Sequence, residues 1–209
     1  MRARPLAAIQ SVLEHIIEGQ MLDIRRFPGD GTLRALGSAA ELDEYTWLVA
    51  GCVGEFWTQL CASELPSSLA PTVTTAQMQE WGARMGKGLQ LINILRDIGE
   101  DTRDGRCYLP CAPAEIQTEW RNWLQTCVEH LECGLRYVQH VAHGKLRYAT
   151  ALPLLLGIQT VAKMRAASWD KVLSGIKISR LDVASILAQA ALACRSAEAM
   201  EKLYRKLGS

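Results

Sequence analysis

Apolar residues recur every three to four positions along most of the chain, the period of helices with one buried face. Ile9, Leu13, Ile16, Ile17 and Met21 predict a helix over residues 7–25. Similar patterns predict helices over 42–61, 77–101, 115–141, 145–167, 179–194 and 196–207, with a kink expected at Pro153. Between them stand turn-forming stretches: Phe27-Pro28-Gly29-Asp30-Gly31, a linker over 66–74, and Asp104-Gly105 followed by Pro110 and Pro113. Thr74 or Thr75 is placed to cap the third helix. Alternating β-branched runs and Asn-Gly turns are missing. No repeat or second-domain boundary interrupts the pattern, so residues 1–209 read as one all-α domain of about seven helices.

Composition narrows the function classes. The chain has 209 residues, 49% of them hydrophobic and 22% charged, which excludes a disordered chain. Its 23 basic and 22 acidic residues leave a net charge of +1, giving no reason to expect nucleic acid as a partner. The uncharged stretch through the apolar centre, 148–161, is too short for a transmembrane span, and the basic start (Met1 to Pro5) is followed by Glu14 and Glu18 rather than a signal-peptide core. Seven scattered cysteines fit a reduced, cytoplasmic protein. The four histidines form no pair at i and i+4, and Cys107/Cys111 lacks a matching second half, so zinc is not expected.

The chemistry concentrates on the third predicted helix. At about 100° per residue, Gln90, Asn93, Asp97 and Asp101 share an arc of roughly 80°, while Leu91, Ile94, Leu95 and Ile98 occupy the other side. Asp97 and Asp101 lie one above the other, a spacing that repels in an isolated helix and suits a shared cation. Mg²⁺ is held by one or two carboxylates together with phosphate oxygens, so the pair suits a metal bridging to a phosphorylated ligand, with Asn93 as a further oxygen donor. A solvated acidic helix face is the plainer alternative. Arg96, Arg103 and Arg106 either bind phosphate or neutralise the nearby acids. On the second helix, Gly51 and Gly54 cost helix stability and call for close approach by another helix or an apolar ligand.

Residues 90–101 (Gln-Leu-Ile-Asn-Ile-Leu-Arg-Asp-Ile-Gly-Glu-Asp), followed by Gly105-Arg106-Cys107-Tyr108-Leu109-Pro110, resemble the second aspartate-rich motif of the squalene/phytoene synthase family. Tyr45 with Val49-Ala50-Gly51-Cys52-Val53-Gly54 is similar to that family's tyrosine-containing helix, and Ile17-Glu18-Gly19-Gln20-Met21-Leu22-Asp23 resembles an earlier helix segment. The resemblance implies an isoprenoid-synthase helical fold and Mg²⁺-dependent head-to-head condensation of two prenyl diphosphates, farnesyl or geranylgeranyl. It implies metal binding by Asp97, Asp101 and Asn93, and polar lining by Gln90. It further implies diphosphate binding by Arg96 and Arg106, and Tyr45 beside the reacting centre. Ala50, Gly51 and Gly54 would form the wall along the prenyl chains.

The family's first aspartate-rich motif, which precedes the tyrosine helix, has no match here; Asp97/Asp101 is the single Asp-x-x-x-Asp. The expectation is therefore an N-terminally truncated fold, with the missing motif supplied by a partner chain or lost. The alternative to an active prenyltransferase is a catalytically impaired helical subunit or ligand-binding partner of the same family. Weak condensation by the chain alone, exposed apolar surface and peripheral contact with a membrane that takes up the lipid product are further expectations.

Overall fold

A computed structural model of the protein describes residues 3–65 and 67–209, with side chains from Leu6 onward. Met1 and Arg2 of the basic start, and Pro66 at the head of the linker, lie outside the described residues. The chain is helical almost throughout, as its periodicity predicts. Helix α1 spans Ala3–Arg26; α2 (Ala39–Thr46) continues through a π-helical turn at Trp47–Gly51 into α3 (Cys52–Glu64). Then come α4 (Thr75–Arg96), α5 (Ile98–Arg103), α6 (Ile116–Gln139), α7 (Gly144–Ala166), α8 (Trp169–Leu173), α9 (Arg180–Ala193) and α10 (Ala197–Gly208). Pro153 lies inside α7. No described helix is long and apolar enough to cross a membrane, and all seven cysteines are free thiols.

Helix α4 positions the site. Thr74 and Gln77 cap its start reciprocally: the Gln77 backbone N–H donates to Thr74 Oγ1 at 3.2 Å, and the Thr74 N–H to Gln77 Oε1 at 3.1 Å. Its apolar face enters the main core, where Leu91, Ile94, Leu95 and, beyond the helix end, Ile98 are buried against α6 and α7 residues such as Leu131 and Leu155. Trp120 of α6 donates its indole N–H to the Leu95 carbonyl at 2.8 Å. On its other side α4 runs antiparallel to α3 at backbone contact. A Cβ on Gly54 would lie 2.0 Å from the Gly82 carbonyl oxygen, and one on Gly86 2.3 Å from that of Ala50. Glycine at these positions lets two helices touch, which offsets its low helix propensity.

Three features depart from the periodic reading. The helix expected over 77–101 breaks at Asp97 (φ −95°, ψ 7°), which ends α4 and begins α5. The break turns Gly99 onto the Leu173 carbonyl, where a Cβ would stand only 2.0 Å from oxygen. A two-residue parallel clasp, β1 (Arg34–Ala35) on β2 (Arg106–Cys107), ties the loop after α1 to the loop after α5. Its bonds run from Arg34 N to Gly105 O (2.9 Å) and Leu36 N to Cys107 O (3.1 Å). Two residues carry no alternation to read, so tertiary placement alone makes this ladder. Finally, α1 buries Val12 and Gly19 but leaves Leu6, Leu13, Ile17, Met21 and Ile24 exposed along one stripe.

Candidate active site

The polar residues at the end of α4 surround a cavity of about 250 Å³ lined by Gln90, Asn93, Asp97, Glu100, Asp101, Arg106 and Tyr108. The break at Asp97 does not scatter the stripe, because the Asp101 N–H still donates to the Asp97 carbonyl at 2.9 Å and holds the two carboxylates on one side. Asn93, Asp97 and Glu100 also face a larger cleft of about 700 Å³, to which Arg96, Thr160 and Lys177 contribute. The floor of that cleft is apolar (Leu89, Ile92, Pro153, Leu156). Leu89 and Pro153 in turn border a third, almost wholly apolar cavity of about 360 Å³ between α3, α4 and α7. A polar head site thus opens onto an apolar groove.

In the free protein the arginines hold the acids. Arg96 grips Asp97 with two bonds, Nε at 2.8 Å and Nη2 at 2.6 Å, and Arg106 Nη2 stands 3.2 Å from Asp101 and 3.3 Å from Asp104. Arg103 instead reaches the Leu173 carbonyl at 3.4 Å. Asn93 Nδ2 donates to Gln90 Oε1 at 3.3 Å. Burial pushes the Asp101 carboxyl up to about 6; Arg106 pulls it down, while Asp97, Asp23 and Glu100 push it further up. Two carboxylates with amide oxygens beside them, all hard donors, fit Mg²⁺ that keeps water or phosphate in its remaining positions. Among the described residues no group of three or more His, Cys, Asp or Glu forms a full cation cage.

Asp23, whose role the sequence left unread, joins this site from α1. Tyr108 donates its hydroxyl to Asp23 Oδ1 at 2.6 Å, stacks on Tyr45 (centroids 5.1 Å apart) and takes the edge of Phe27 at 5.0 Å. Burial raises Tyr108 and pushes Tyr45 up to about 12, so both keep their protons at neutral pH. Tyr45 is 6% exposed and stands behind Tyr108, which lines the cavity in its place. Asp23 lies 74 positions before Asp97 in the chain, and its signal was the quoted α1 segment that ends on it.

Of the small residues expected along an apolar wall, Ala50 and Gly54 do line the groove. Gly51 does not: it is packed against the Ala83 carbonyl of α4, 3.3 Å from where its Cβ would be, and serves helix contact. His140 is half-buried against Trp81, and His143 is exposed.

The sequence profile described as squalene/phytoene synthase matches residues 3–182. The chain belongs to the squalene/phytoene synthase family. Among its relatives, chloroplastic phytoene synthase 3 of Zea mays is 28% identical over 171 residues, covering 74% of this chain and 38% of the relative. The 15-cis-phytoene synthase of Synechococcus elongatus is 35% identical over 149 residues, 61% of this chain and 46% of the relative. The matched regions thus span less than half the length of these curated relatives. The solved complex of TcSQS with the ligand BPH1237 superposes with a TM-score of 0.74 at 20% identity, covering 96% of this chain and 59% of that one. That likeness shows the isoprenoid-synthase helical fold.

Proposed function

We propose that the chain binds a prenyl diphosphate together with Mg²⁺ and serves the diphosphate-releasing step of a head-to-head prenyl transfer. The observation that carries this reading is the junction of a carboxylate- and amide-lined cavity with an apolar groove, through Asn93, Asp97, Leu89 and Pro153. Asp97, Asp101 and Asn93 would hold the metal, whose chemistry is to neutralise the charge that develops on the departing diphosphate. Arg96 and Arg106 would exchange their present carboxylate partners for diphosphate oxygens, which a guanidinium matches geometrically. Tyr108, its hydroxyl held by Asp23 and its ring backed by Tyr45, stays protonated and offers neutral surface beside the head group. The groove walls, Val49, Ala50, Val53 and Leu89, would keep water from the allylic carbon as the bond to oxygen breaks. The acceptor double bond of a second prenyl diphosphate then attacks that carbon, and the cation this leaves on the acceptor loses a proton as a cyclopropane ring closes.

A second reading, binding of the same ligand without turnover, is favoured by one fact: among the described residues no group of three or more His, Cys, Asp or Glu is placed to hold a metal ion. Both readings are tested by following diphosphate release from farnesyl diphosphate. Turnover predicts release that needs Mg²⁺ and falls at least about 100-fold in Asp97→Asn, the scale of losing one transition-state charge contact. Mg²⁺-dependent binding with no release supports the second reading. Release that is indifferent both to chelation of Mg²⁺ and to Asp97→Asn contradicts the first.

A further inference from the structure

On the core side of α4's last turn a separate pocket of about 260 Å³ opens between α6, α7 and α8. Its floor is Leu124, Met164 and Val172, all buried. Two indoles meet there edge to face, Trp120 and Trp169, with centroids 5.8 Å apart. Trp120 is fixed by the bond from its N–H to the Leu95 carbonyl, and Trp169 is half-buried. No residue lines both this pocket and the head cavity. The rim is cationic: Arg121 and Arg165 line it, both are exposed, and neither has an ion-pair or hydrogen-bond partner among the described residues. The head-cavity arginines differ, since Arg96 holds Asp97 and Arg106 holds Asp101. Three acids neighbour the lining residues without lining the pocket themselves. They are Asp170 beside Trp169, Glu119, which Asn122 engages, and Glu129, which Gln125 meets at 3.5 Å. The surplus extends along the chain, because residues 163–180 hold five basic residues and one acidic one where the whole protein totals +1.

We propose that this pocket binds a small oxyanion carrying a flat apolar group, an aryl phosphate or aryl carboxylate, with its ring on the indoles and its acid group on Arg121 and Arg165. Each part of the pocket argues for one part of the ligand. A guanidinium stays charged at every relevant pH, and its fork pairs bidentately with carboxylate and phosphate oxygens. Unneutralised cations beside an apolar wall concentrate anions there. Indole rings take another ring edge-on or in offset contact. Size sets the scale: ligand pockets run from about 300 Å³ upward, so this one suits a single ring rather than a long chain. The site stands apart from the prenyl diphosphate reading and does not depend on it.

The test titrates the full chain, with divalent metal chelated, with phenyl phosphate and with benzoate. Phenol and inorganic phosphate serve as the separate parts, and calorimetry and tryptophan fluorescence supply the readout. At least one aryl anion should saturate a single site with Kd below about 1 mM. It should bind at least about tenfold more tightly than either phenol or inorganic phosphate, the scale of adding one charge-assisted contact or one ring contact. Arg121→Gln and Arg165→Gln, both at exposed side chains, should each weaken it about tenfold, and Trp169→Leu should weaken it as well. The wild-type comparison decides the matter even if Trp169→Leu folds poorly. No saturable binding of either aryl anion, binding no tighter than that of phenol or inorganic phosphate, or binding unchanged in both arginine variants would overturn the site. Binding that survives those variants but is lost in the Arg96→Gln/Arg106→Gln double variant would place the anion in the head cavity and overturn it too.

Discussion

Asp101 is the residue where the site's electrostatics are most exposed to measurement. Its carboxyl is raised to about 6, first by burial and then by Asp97, Asp23 and Glu100. A group that holds its proton more tightly in the folded than in the unfolded chain favours folding below the unfolded value, near 3.8, and loses that contribution as pH rises through 6. At pH 7 the ionised group is a cost on the order of 1–3 kcal/mol, from a shift of roughly two units at 1.36 kcal/mol each. Metal-free Asp101→Asn should therefore melt higher than wild type at pH 7, and the difference should vanish near pH 4. A lower melting point at pH 7 would show that the Arg106 pair outweighs burial and repulsion. His130 acts in the opposite sense over an overlapping window. Burial, aided by Arg84 and Lys87, lowers it to about 4, so its contribution is lost as pH falls from 6.5 to 4; the wild-type-minus-variant difference isolates Asp101. At this scale Asp97, Asp101, Asn93 and Gln90 were legible because they share one helical stripe. Asp23 and Tyr108 fell inside family-like segments but carried no role there, because their bond joins residues 85 positions apart and no local pattern encodes it.

At the scale of elements, the α3–α4 contact does most to shape the groove. Gly54→Ala would place a methyl group 2.0 Å from the Gly82 carbonyl, an atom of backbone that cannot step aside alone. The helices must part, which costs on the order of 1–3 kcal/mol as overpacking. At about 2–4 °C per kcal/mol for a chain of this size, the melting point should fall by several degrees. An unchanged melting temperature would mean the helices are spaced more loosely than the geometry shows. The long helices were readable from the 3.6-residue period because each buries one face. The five-residue α8 and the β1–β2 clasp are too short to show a period, and the break at Asp97 follows from how Gly99 meets Leu173, a contact 74 positions away in sequence. Gly51 and Gly54 were readable as close-approach sites, but only the structure separates Gly54, on the groove, from Gly51, at the end of the π-turn and buried in the helix contact.

At the scale of the whole molecule, the polar cavity, the cleft and the apolar groove lie in sequence along α4, so one amphipathic ligand could bridge all three. The all-α class and the family were legible in the chain, because the periodicity runs nearly end to end and the motif from Gln90 to Pro110 is long. How the cavities join was not, because Pro153 and Thr160 reach them from α7 and Lys177 from the loop after α8. Everything proposed for function depends on whether Asp97 and Asp101 recruit Mg²⁺ to a diphosphate. Calorimetric titration of the protein with inorganic pyrophosphate, with and without Mg²⁺, measures this without a prenyl chain or turnover. Binding should need Mg²⁺ and weaken at least about tenfold, or 1.4 kcal/mol, in both Asp97→Asn and Asp101→Asn. Pyrophosphate binding that is equally tight without Mg²⁺ and in both variants would contradict the assignment of this cavity as the metal–diphosphate site.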